Sequence, residues 1–256
     1  MQSKRPSVTF QWLLGGMATV LSVGTIGVSG PMEDEVSALI PAADLVAEVH
    51  EYVDSLTADL ADEAKYNSAK DAIKRDANVL VALGQVLAMS TTENELSPSA
   101  SSIVAAAKEL AAAKDYAAAS LAFDGVQAAA GGEAVGGATE IKWEKLASLG
   151  QLMNEVTLVN SSIRRNMRRI ERNADATARD AVLLAAIAQV TIFDTHEVKD
   201  PAKISEWEAM CREMRDSAAD LAAQIKAMNK SGATAALTRM NKSCEDCHAV
   251  FHPTDM

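Results

Sequence analysis

An internal repeat constrains the fold of this chain more than any other feature of its sequence. When the sequence is shifted against itself by 104 residues, residues 71–89 align with 175–193, and nine of the nineteen positions are identical. Because alanine-rich segments match easily by chance, the informative identities are an Arg-Asp-Ala triplet at Arg75 and Arg179 and a Gln-Val pair at Gln85 and Gln189. The repeat predicts two copies of one structural unit in tandem.

The composition predicts that this unit is helical. Aromatic residues make up only 4% of the chain, and glycine and proline are sparse after residue 43. Helix-forming residues fill nearly every segment, and the alternating β-branched runs that indicate strands are missing. Helix-breaking pairs stand at Ser97-Pro98, Asp200-Pro201 and Ser231-Gly232. The predicted helices are 43–64, 66–90, 98–112 and 114–130, then 141–170, 173–195, 201–229 and 233–251.

Short links between these helices imply antiparallel neighbours. The predicted fold is therefore all-α, with two tandem up-down-up-down four-helix bundles. The first repeat covers 43–130, a glycine-rich linker covers 131–140, and the second repeat covers 141–256. A further hypothesis is that the two repeats pack on each other as a pseudo-dimer within one chain.

The N-terminal residues 1–30 are typical of a secretory signal peptide. Lys4 and Arg5 precede a run without charge from Pro6 to Met32, and small residues follow at 27–30. An uncleaved membrane anchor is the alternative, because the uncharged run is long. Either interpretation predicts a periplasmic protein, secreted across the inner membrane. The net charge of −11 argues against a nucleic-acid partner, which would reward clustered basic residues.

The chemistry of the chain is concentrated near its C-terminus, in Cys244-Glu-Asp-Cys247-His248. Thiols at positions i and i+3 of a helical turn can add to the two vinyl groups of one haem, and the next residue can bind the iron. A zinc site is the competing interpretation, but a structural zinc ion needs four protein ligands, and the sequence has no second Cys/His cluster. The motif predicts one covalent haem c with His248 as the metal ligand.

The segment from Cys244 to Phe251, placed on the last helix of a four-helix bundle, resembles the closing helix of the cytochrome c′ family. The resemblance covers about residues 141–256 and implies a haem-binding four-helix bundle. Two features depart from that family. His252 stands where the family usually has Arg or Lys, and the first repeat has no Cys or His between residues 113 and 142. The first repeat therefore resembles a bundle that lost the haem or never had it.

In such a bundle the haem end of the last helix should meet residues near 145–156, 187–196 and 203–211. The resemblance places the distal haem contact on the first helix of the bundle, where Met153 is the best candidate, with Leu149, Leu152 and Val156 nearby. Met153 can shield an open sixth iron position, bind the iron as a thioether, or simply fill the core. We expect His196 to be a surface residue rather than a haem contact. Trp207 can pack on the haem or in the core.

Two further features favour ordinary structural roles. Five arginines at helical spacing form an arginine stripe, which we define as Arg164, Arg165, Arg168, Arg169 and Arg172. The stripe begins about 16 Å along the helix from Met153. A solvated face with salt bridges to neighbouring helices is therefore favoured over an electron-transfer docking site. Cys211 is expected to be a small core residue.

These observations predict an exported cytochrome that binds a diatomic gas (NO or CO) or transfers electrons to a redox partner protein. The alternative is a structural or interaction module, in which the duplicated bundle acts as a scaffold and the haem is secondary. An enzyme is the least favoured class, because no nucleophile–base pair, phosphate-binding loop or secured acid/base group over the iron is recognisable.

Overall fold

The computed structural model describes residues 31–134 and 140–252, and this part of the chain is helical without any strand. The all-α prediction is confirmed. The predicted signal or anchor at 1–30 and part of the predicted linker lie outside the described residues. The α-helices are α1 Pro31–Leu39, α2 Ala42–Asp59, α3 Glu63–Met89, α4 Ala100–Ala112, α5 Tyr116–Ala130, α6 Leu149–Asn166, α7 Ala174–Thr191, α8 Ile204–Lys226 and α9 Lys230–Phe251. Two short 3₁₀ helices, Met167–Arg172 and Pro201–Lys203, precede α7 and α8.

Several helix starts are set by local capping chemistry. The carboxylate of Asp62 accepts a hydrogen bond from the backbone N–H of Lys65 at the start of α3 (2.8 Å). Asp115 does the same at the start of α5, and the Asn229 side chain does so at the start of α9. Each cap satisfies one of the backbone donors that a helix leaves unpaired at its N-terminus. These starts lie within three residues of the predicted ones.

The sixth helix begins at Leu149, so the prediction of a helix from 141 was wrong at this end. The segment before it is irregular and lies against the first repeat. The amide Nε2 of Gln85 donates to the carbonyl oxygens of Lys142 (2.7 Å) and Glu144 (2.9 Å). The backbone N–H of Ser148 donates to the side chain of Asn78 (2.7 Å). These tertiary hydrogen bonds replace the backbone hydrogen bonds of a helix. They cannot be predicted from the local sequence pattern, because their partners are distant in the chain.

A further helix, α1, was not predicted. It precedes the first repeat, and Val36 and Ile40 at its end are 1% exposed. The carboxylate of Glu35 contacts the guanidinium of Arg215 on α8. This helix is therefore stabilised by contacts with both repeats.

The centre of the molecule is formed by α3 and α7, the two helices that carry the internal repeat. Every residue from 76 to 87 and from 181 to 192 is buried. Within each repeat, consecutive helices pack on one another, and α3 also packs on α6 and α7, while α7 packs on α2. One apolar core therefore runs through both repeats. In the part of the chain that the structure describes, no helix combines the length and apolar character needed to cross a membrane.

The helix boundaries of the two repeats follow the 104-residue offset only in part, since α6 begins 107 residues after α2 and α7 begins 111 residues after α3. Helix α8 begins at Ile204, which lies 104 residues after Ala100, the start of α4. The last two helices of the second repeat are longer, with 23 residues in α8 against 13 in α4 and 22 in α9 against 15 in α5. The motif Cys244–His248 lies on the longer of the two closing helices.

Candidate haem attachment site

The structure places Cys244, Cys247 and His248 on the last two turns of α9, each of them half-buried. The two thiols are separated by three residues, so they lie on one face of the helix about one turn apart. Both are free thiols. The motif therefore presents two thiols and an imidazole at the boundary between protein and solvent, with the geometry that the spacing predicted.

A small apolar cluster separate from the main core lies against this end of α9. We call it the terminal cluster. Its buried members are Leu149, Ile192, Trp207 and Cys211, and its partly buried members are Met153, Phe193, Val198, Cys247 and Phe251. Apart from Val198 and the two α9 residues, these side chains come from the three stretches expected to meet the haem end of the last helix. Their convergence from α6, from α8 and from the segment that follows α7 required the tertiary fold.

Trp207 is the largest side chain of the terminal cluster and is held in one orientation. Its indole Nε1–H donates to the carbonyl oxygen of Thr191 at the end of α7 (3.0 Å). Its ring meets the edge of Phe251 at 5.1 Å between centroids, with an interplanar angle of 86°. Beside it, Trp143 stacks on Phe193 at 5.4 Å. The C-terminal turn of α9 is thus packed against aromatic side chains.

The residues grouped with Met153 divide between two surfaces of α6. Met153 is partly buried and contacts both the main core and the terminal cluster. Leu149 belongs to the terminal cluster, whereas Leu152 and Val156 are buried in the main core. Leu152 and Val156 are therefore close to Met153 through the main core, whereas Leu149 is close to it through the terminal cluster. Residues 149 and 153 share one helical face, and 152 and 156 lie on the neighbouring face.

His196 lies beyond the end of α7 and is engaged by carboxylates. Its Nδ1 contacts Asp194, and its Nε2 lies 2.9 Å from Glu197. The side chain is 42% exposed. This geometry agrees with a surface residue. His252 lies nearer the motif, with its ring 5.7 Å from that of His248.

Cys211 is buried, as expected of a small core residue, and it lies at the end of the stretch 203–211 that the sequence predicts to meet this part of the last helix. It lies in the terminal cluster with Cys247. Burial raises the pKa of its thiol, and the neighbouring Cys247 and Cys244 raise it further. Burial and Cys244 together raise the pKa of Cys247 to about 11. The spacing of four residues between Trp207 and Cys211 is the signal that places both on one face of α8.

A second polar site lies between the repeats, where the residues of the internal repeat meet. A cavity of about 290 Å³ is bounded by α2, α3, α6 and α7, and its lining includes Glu51, Glu155, Arg75, Asp76 and Asp180. Asp76 and Asp180 belong to the repeated Arg-Asp-Ala triplets, and the same offset of 104 residues relates Glu51 to Glu155. The sequence repeat does not show that these residues meet. The repeated arginines and glutamates pair reciprocally, because Arg75 Nε lies 2.6 Å from Glu155 and Arg179 Nη2 lies 3.5 Å from Glu51.

Buried carboxylates in this cavity have altered acidity. Burial raises the pKa of Glu48 to about 8, and the charges of Glu51 and Asp180 contribute further. Burial also raises the pKa of Asp76 to about 6 against the opposing effect of Arg75. The pKa of Asp180 is raised to about 6, again mainly by burial. At neutral pH the cavity therefore holds both protonated and ionised carboxyl groups.

All five arginines of the arginine stripe are exposed at the end of α6 and in the following 3₁₀ helix. Within the described residues none of them forms a hydrogen bond or an ion pair. The expected solvated face is present, but the expected salt bridges to neighbouring helices are not.

No family model, curated protein or solved structure matches this chain significantly. Among residues 31–134 and 140–252, no group of three or more His, Cys, Asp or Glu side chains is placed to hold a metal ion.

Proposed function

We propose that this protein is an exported c-type cytochrome of the cytochrome c′ type, with one haem c attached through Cys244 and Cys247. The supporting observation is the terminal cluster. Cys247 packs into an apolar surface that is separate from the main core and contains side chains of α6, of α8 and of the segment that follows α7. A haem needs an apolar wall next to its attachment residues, and this end of α9 has one.

The residues of this site fit that group chemically. Cys244 and Cys247 are free and lie one helical turn apart, and His248 follows directly as the proposed iron ligand. Trp207, Phe251 and Leu149 would exclude water from one side of the macrocycle. When bound, the haem supplies either reversible binding of a diatomic gas such as NO or CO, or one-electron transfer.

Met153 is the residue proposed to decide between these two roles. It lies at the junction of the main core and the terminal cluster, on the same helix as Leu149. A Met153 that only shields the iron leaves its sixth position open to a gas. A thioether ligand from Met153 would fill that position and favour electron transfer.

The proposed architecture is two tandem up-down-up-down bundles, α2–α5 and α6–α9, packed on each other as a pseudo-dimer. The reciprocal ion pairs support this arrangement. The first repeat supplies Arg75 to Glu155 of the second, and the second repeat supplies Arg179 to Glu51 of the first. A two-fold interface has this property. When a residue of one repeat contacts a second residue in the other repeat, the same contact forms again with the two repeats exchanged.

The compartment and the class of activity are part of the same proposal. Haem is attached covalently on the far side of the inner membrane, so the proposed location is the periplasm, with or without an N-terminal anchor. We propose a redox partner protein or a diatomic gas as the partner, with no enzymatic turnover. The haem-bearing scaffold is kept as a second candidate because the first repeat contributes buried residues to the continuous main core although its last helix has no Cys or His.

The test is a reduced-minus-oxidised absorption spectrum of protein matured in a compartment that attaches haem c. We expect a Soret band that survives acid–acetone extraction. A sharp α band would identify six-coordinate iron and electron transfer, whereas broad fused bands would identify an open sixth position and gas binding. A folded protein without covalent haem would refute the proposal, and a scaffold would then be the remaining candidate function.

Matched cysteine variants make this test specific to the motif. The double variant Cys244→Ser/Cys247→Ser should abolish covalent haem in a haem-stained denaturing gel. Cys211→Ser removes a buried thiol of the same cluster and should keep the attached haem. Equal loss in both variants would mean that folding of the cluster, rather than thioether attachment, was being measured.

A further inference from the structure

The arginine stripe is distinguished from every other arginine in the described part of the chain. Ten arginines lie in this part. The five outside the stripe are all ion-paired, and they are Arg75, Arg179, Arg212, Arg215 and Arg239. The five in the stripe are all exposed, and none pairs with a described residue. A chain with net charge −11 thus leaves one compact cationic surface without a carboxylate partner.

The requirements of the fold do not account for this surface. Arg164 and Arg165 occupy the last turn of α6, where a cation interacts favourably with the helix dipole. The other three extend the stripe into the 3₁₀ helix Met167–Arg172, where Arg169 leaves helical geometry (φ −141°, ψ 57°). Arginines three or four residues apart are neighbours on a helix, and like charges at this spacing are destabilising. A repulsive cluster on the surface indicates a binding role.

The chemistry of the stripe favours a flat anionic surface. Its two apolar residues, Met167 and Ile170, are buried in the main core, so no apolar or aromatic side chain within 164–172 is exposed. A stable protein interface depends on such anchors at its centre. Adsorption to an anionic bilayer needs only positive charges near the lipid headgroups. Glu171 is the only acidic residue within 164–172 and offsets one of the five positive charges. Carboxylates more than about 8 Å away oppose binding weakly, because their charges are largely screened at physiological ionic strength.

We propose that the arginine stripe binds the anionic headgroups of a phospholipid bilayer. The proposal does not depend on the haem. Each arginine near such a surface adds about 1 kcal/mol, which is roughly a fivefold change in partitioning. Because the attraction is electrostatic, it should weaken as salt is added.

The experiment measures partitioning of the full chain into vesicles of phosphatidylcholine alone and of phosphatidylcholine with equimolar phosphatidylglycerol. Neutral vesicles report any binding through the N-terminal segment, and the anionic increment reports the stripe. The variant Arg164→Gln/Arg168→Gln/Arg172→Gln should lower the anionic increment by about 100-fold. The control Lys142→Gln/Arg212→Gln/Arg239→Gln makes the same change in net charge at exposed, ion-paired positions and should lower it far less.

Circular dichroism establishes that both triple variants are folded. An unchanged partition between neutral and anionic vesicles at low salt would overturn the proposal, as would equal losses in the two triple variants. Competition by a soluble acidic polypeptide that binds more tightly than the vesicles would also overturn it, and would assign the stripe to a protein partner instead.

Discussion

Equivalent positions in the two repeats have different surroundings at one end of the molecule. In the first repeat, Leu45, Ile103 and Ala107 are all 0% exposed within the continuous main core. The residues 104 positions later are Leu149, Trp207 and Cys211, and they form the terminal cluster beside the Cys244–His248 motif. The same helices in the same order thus support a closed core in one repeat and a second apolar surface in the other.

The difference shows that one end of the second repeat has side chains unlike those of the first. Trp207 and Cys211 are larger than the aligned Ile103 and Ala107, so the second repeat has more apolar volume at this end. The identical residues, by contrast, lie along α3 and α7, where Arg75 and Arg179 meet glutamates of the opposite repeat. The identities at Arg75 and Arg179 thus lie where the repeats contact each other. In the terminal cluster Leu149 matches Leu45, whereas Trp207 and Cys211 replace Ile103 and Ala107.

The largest expected effect distinguishes the terminal cluster from the equivalent part of the first repeat. Trp207→Ala should lower the free energy of unfolding by about 3–5 kcal/mol, and Ile103→Ala by about 2–5 kcal/mol, because both side chains are fully buried. Only Trp207→Ala should also shift the Soret band of the haem-loaded protein. Urea unfolding and absorption spectra of both variants test this. If Ile103→Ala shifted the band as much as Trp207→Ala, the assignment of the terminal cluster to haem would be contradicted.

A second prediction concerns the two reciprocal ion pairs, which differ in burial. Arg75 and Glu155 are 23% and 8% exposed, whereas Arg179 and Glu51 are 28% and 65% exposed. Arg75→Leu should therefore cost about 3 kcal/mol by leaving a buried carboxylate unpaired. Arg179→Leu should cost about 1 kcal/mol or less, since an exposed pair contributes little and the nearby Glu48 can stay protonated.

Urea unfolding of the two arginine variants provides the measurement, and Glu155→Gln completes a double-mutant cycle with Arg75→Leu. Equal costs for Arg75→Leu and Arg179→Leu would mean that the two halves of the interface are energetically equivalent despite their different burial.

The carboxylates of the inter-repeat cavity predict a dependence of stability on pH. The pKa of Glu48 is raised from 4.5 to about 8, so the folded state holds a proton that the unfolded state releases between these values. Stability is then highest near the lower end of this window and falls as pH rises toward 8. Asp76 and Asp180, raised from 3.8 to about 6, act in the same direction at lower pH.

We expect a loss on the order of 2 kcal/mol between pH 5 and pH 8, which is less than the full shift because the cavity can admit water around the charged form. Urea unfolding at several pH values measures it. Glu48→Gln should flatten the profile, and the aligned residue of the second repeat, Leu152, has no charge to titrate. A profile that rises from pH 5 to pH 8 would refute the assignment.

The smallest expected effect concerns Gly84, which aligns with Ala188 of the second repeat. A Cβ atom at position 84 would lie 2.9 Å from Val104 Cγ2 and 3.2 Å from the carbonyl oxygen of Ala100. Overpacking of about 1–3 kcal/mol exceeds the gain of about 1 kcal/mol in helix propensity. Gly84→Ala should therefore destabilise by about 1 kcal/mol in urea unfolding. A stabilising result would show that α3 and α4 can separate to the spacing of α7 and α8.

Parts of this structure could be predicted from the sequence because they depend on neighbouring residues. Helices α2 to α5 and α9 start within three residues of their predicted positions, since propensity and breaking residues act locally. The stretch 141–148 and the helix α1 could not be predicted in this way. Their conformations depend on Gln85 and Arg215, which are distant in sequence.

The candidate site likewise has features that could be predicted from the sequence and features that could not. The spacing of Cys244, Cys247 and His248 is a local property, and it is maintained in α9. Cys211 and the aromatic packing of Trp207 on Phe251 depend on how α8 and α9 cross, so they were seen as separate features in the sequence. The assignment of Leu149 to the terminal cluster and of Leu152 and Val156 to the main core also depends on which neighbours surround α6.

The sequence by itself determined the helical class, the internal sequence repeat and the spacing of the thiol–imidazole motif, because helix propensity and motif spacing depend on residues close together in the chain. Only the tertiary structure decided which distant side chains meet. Gln85 and Gln189 are identical and aligned, yet Gln85 donates to the carbonyl of Lys142 while Gln189 accepts from Arg215. The partner that a side chain contacts depends on the helices packed around it, and these helices differ between the two repeats.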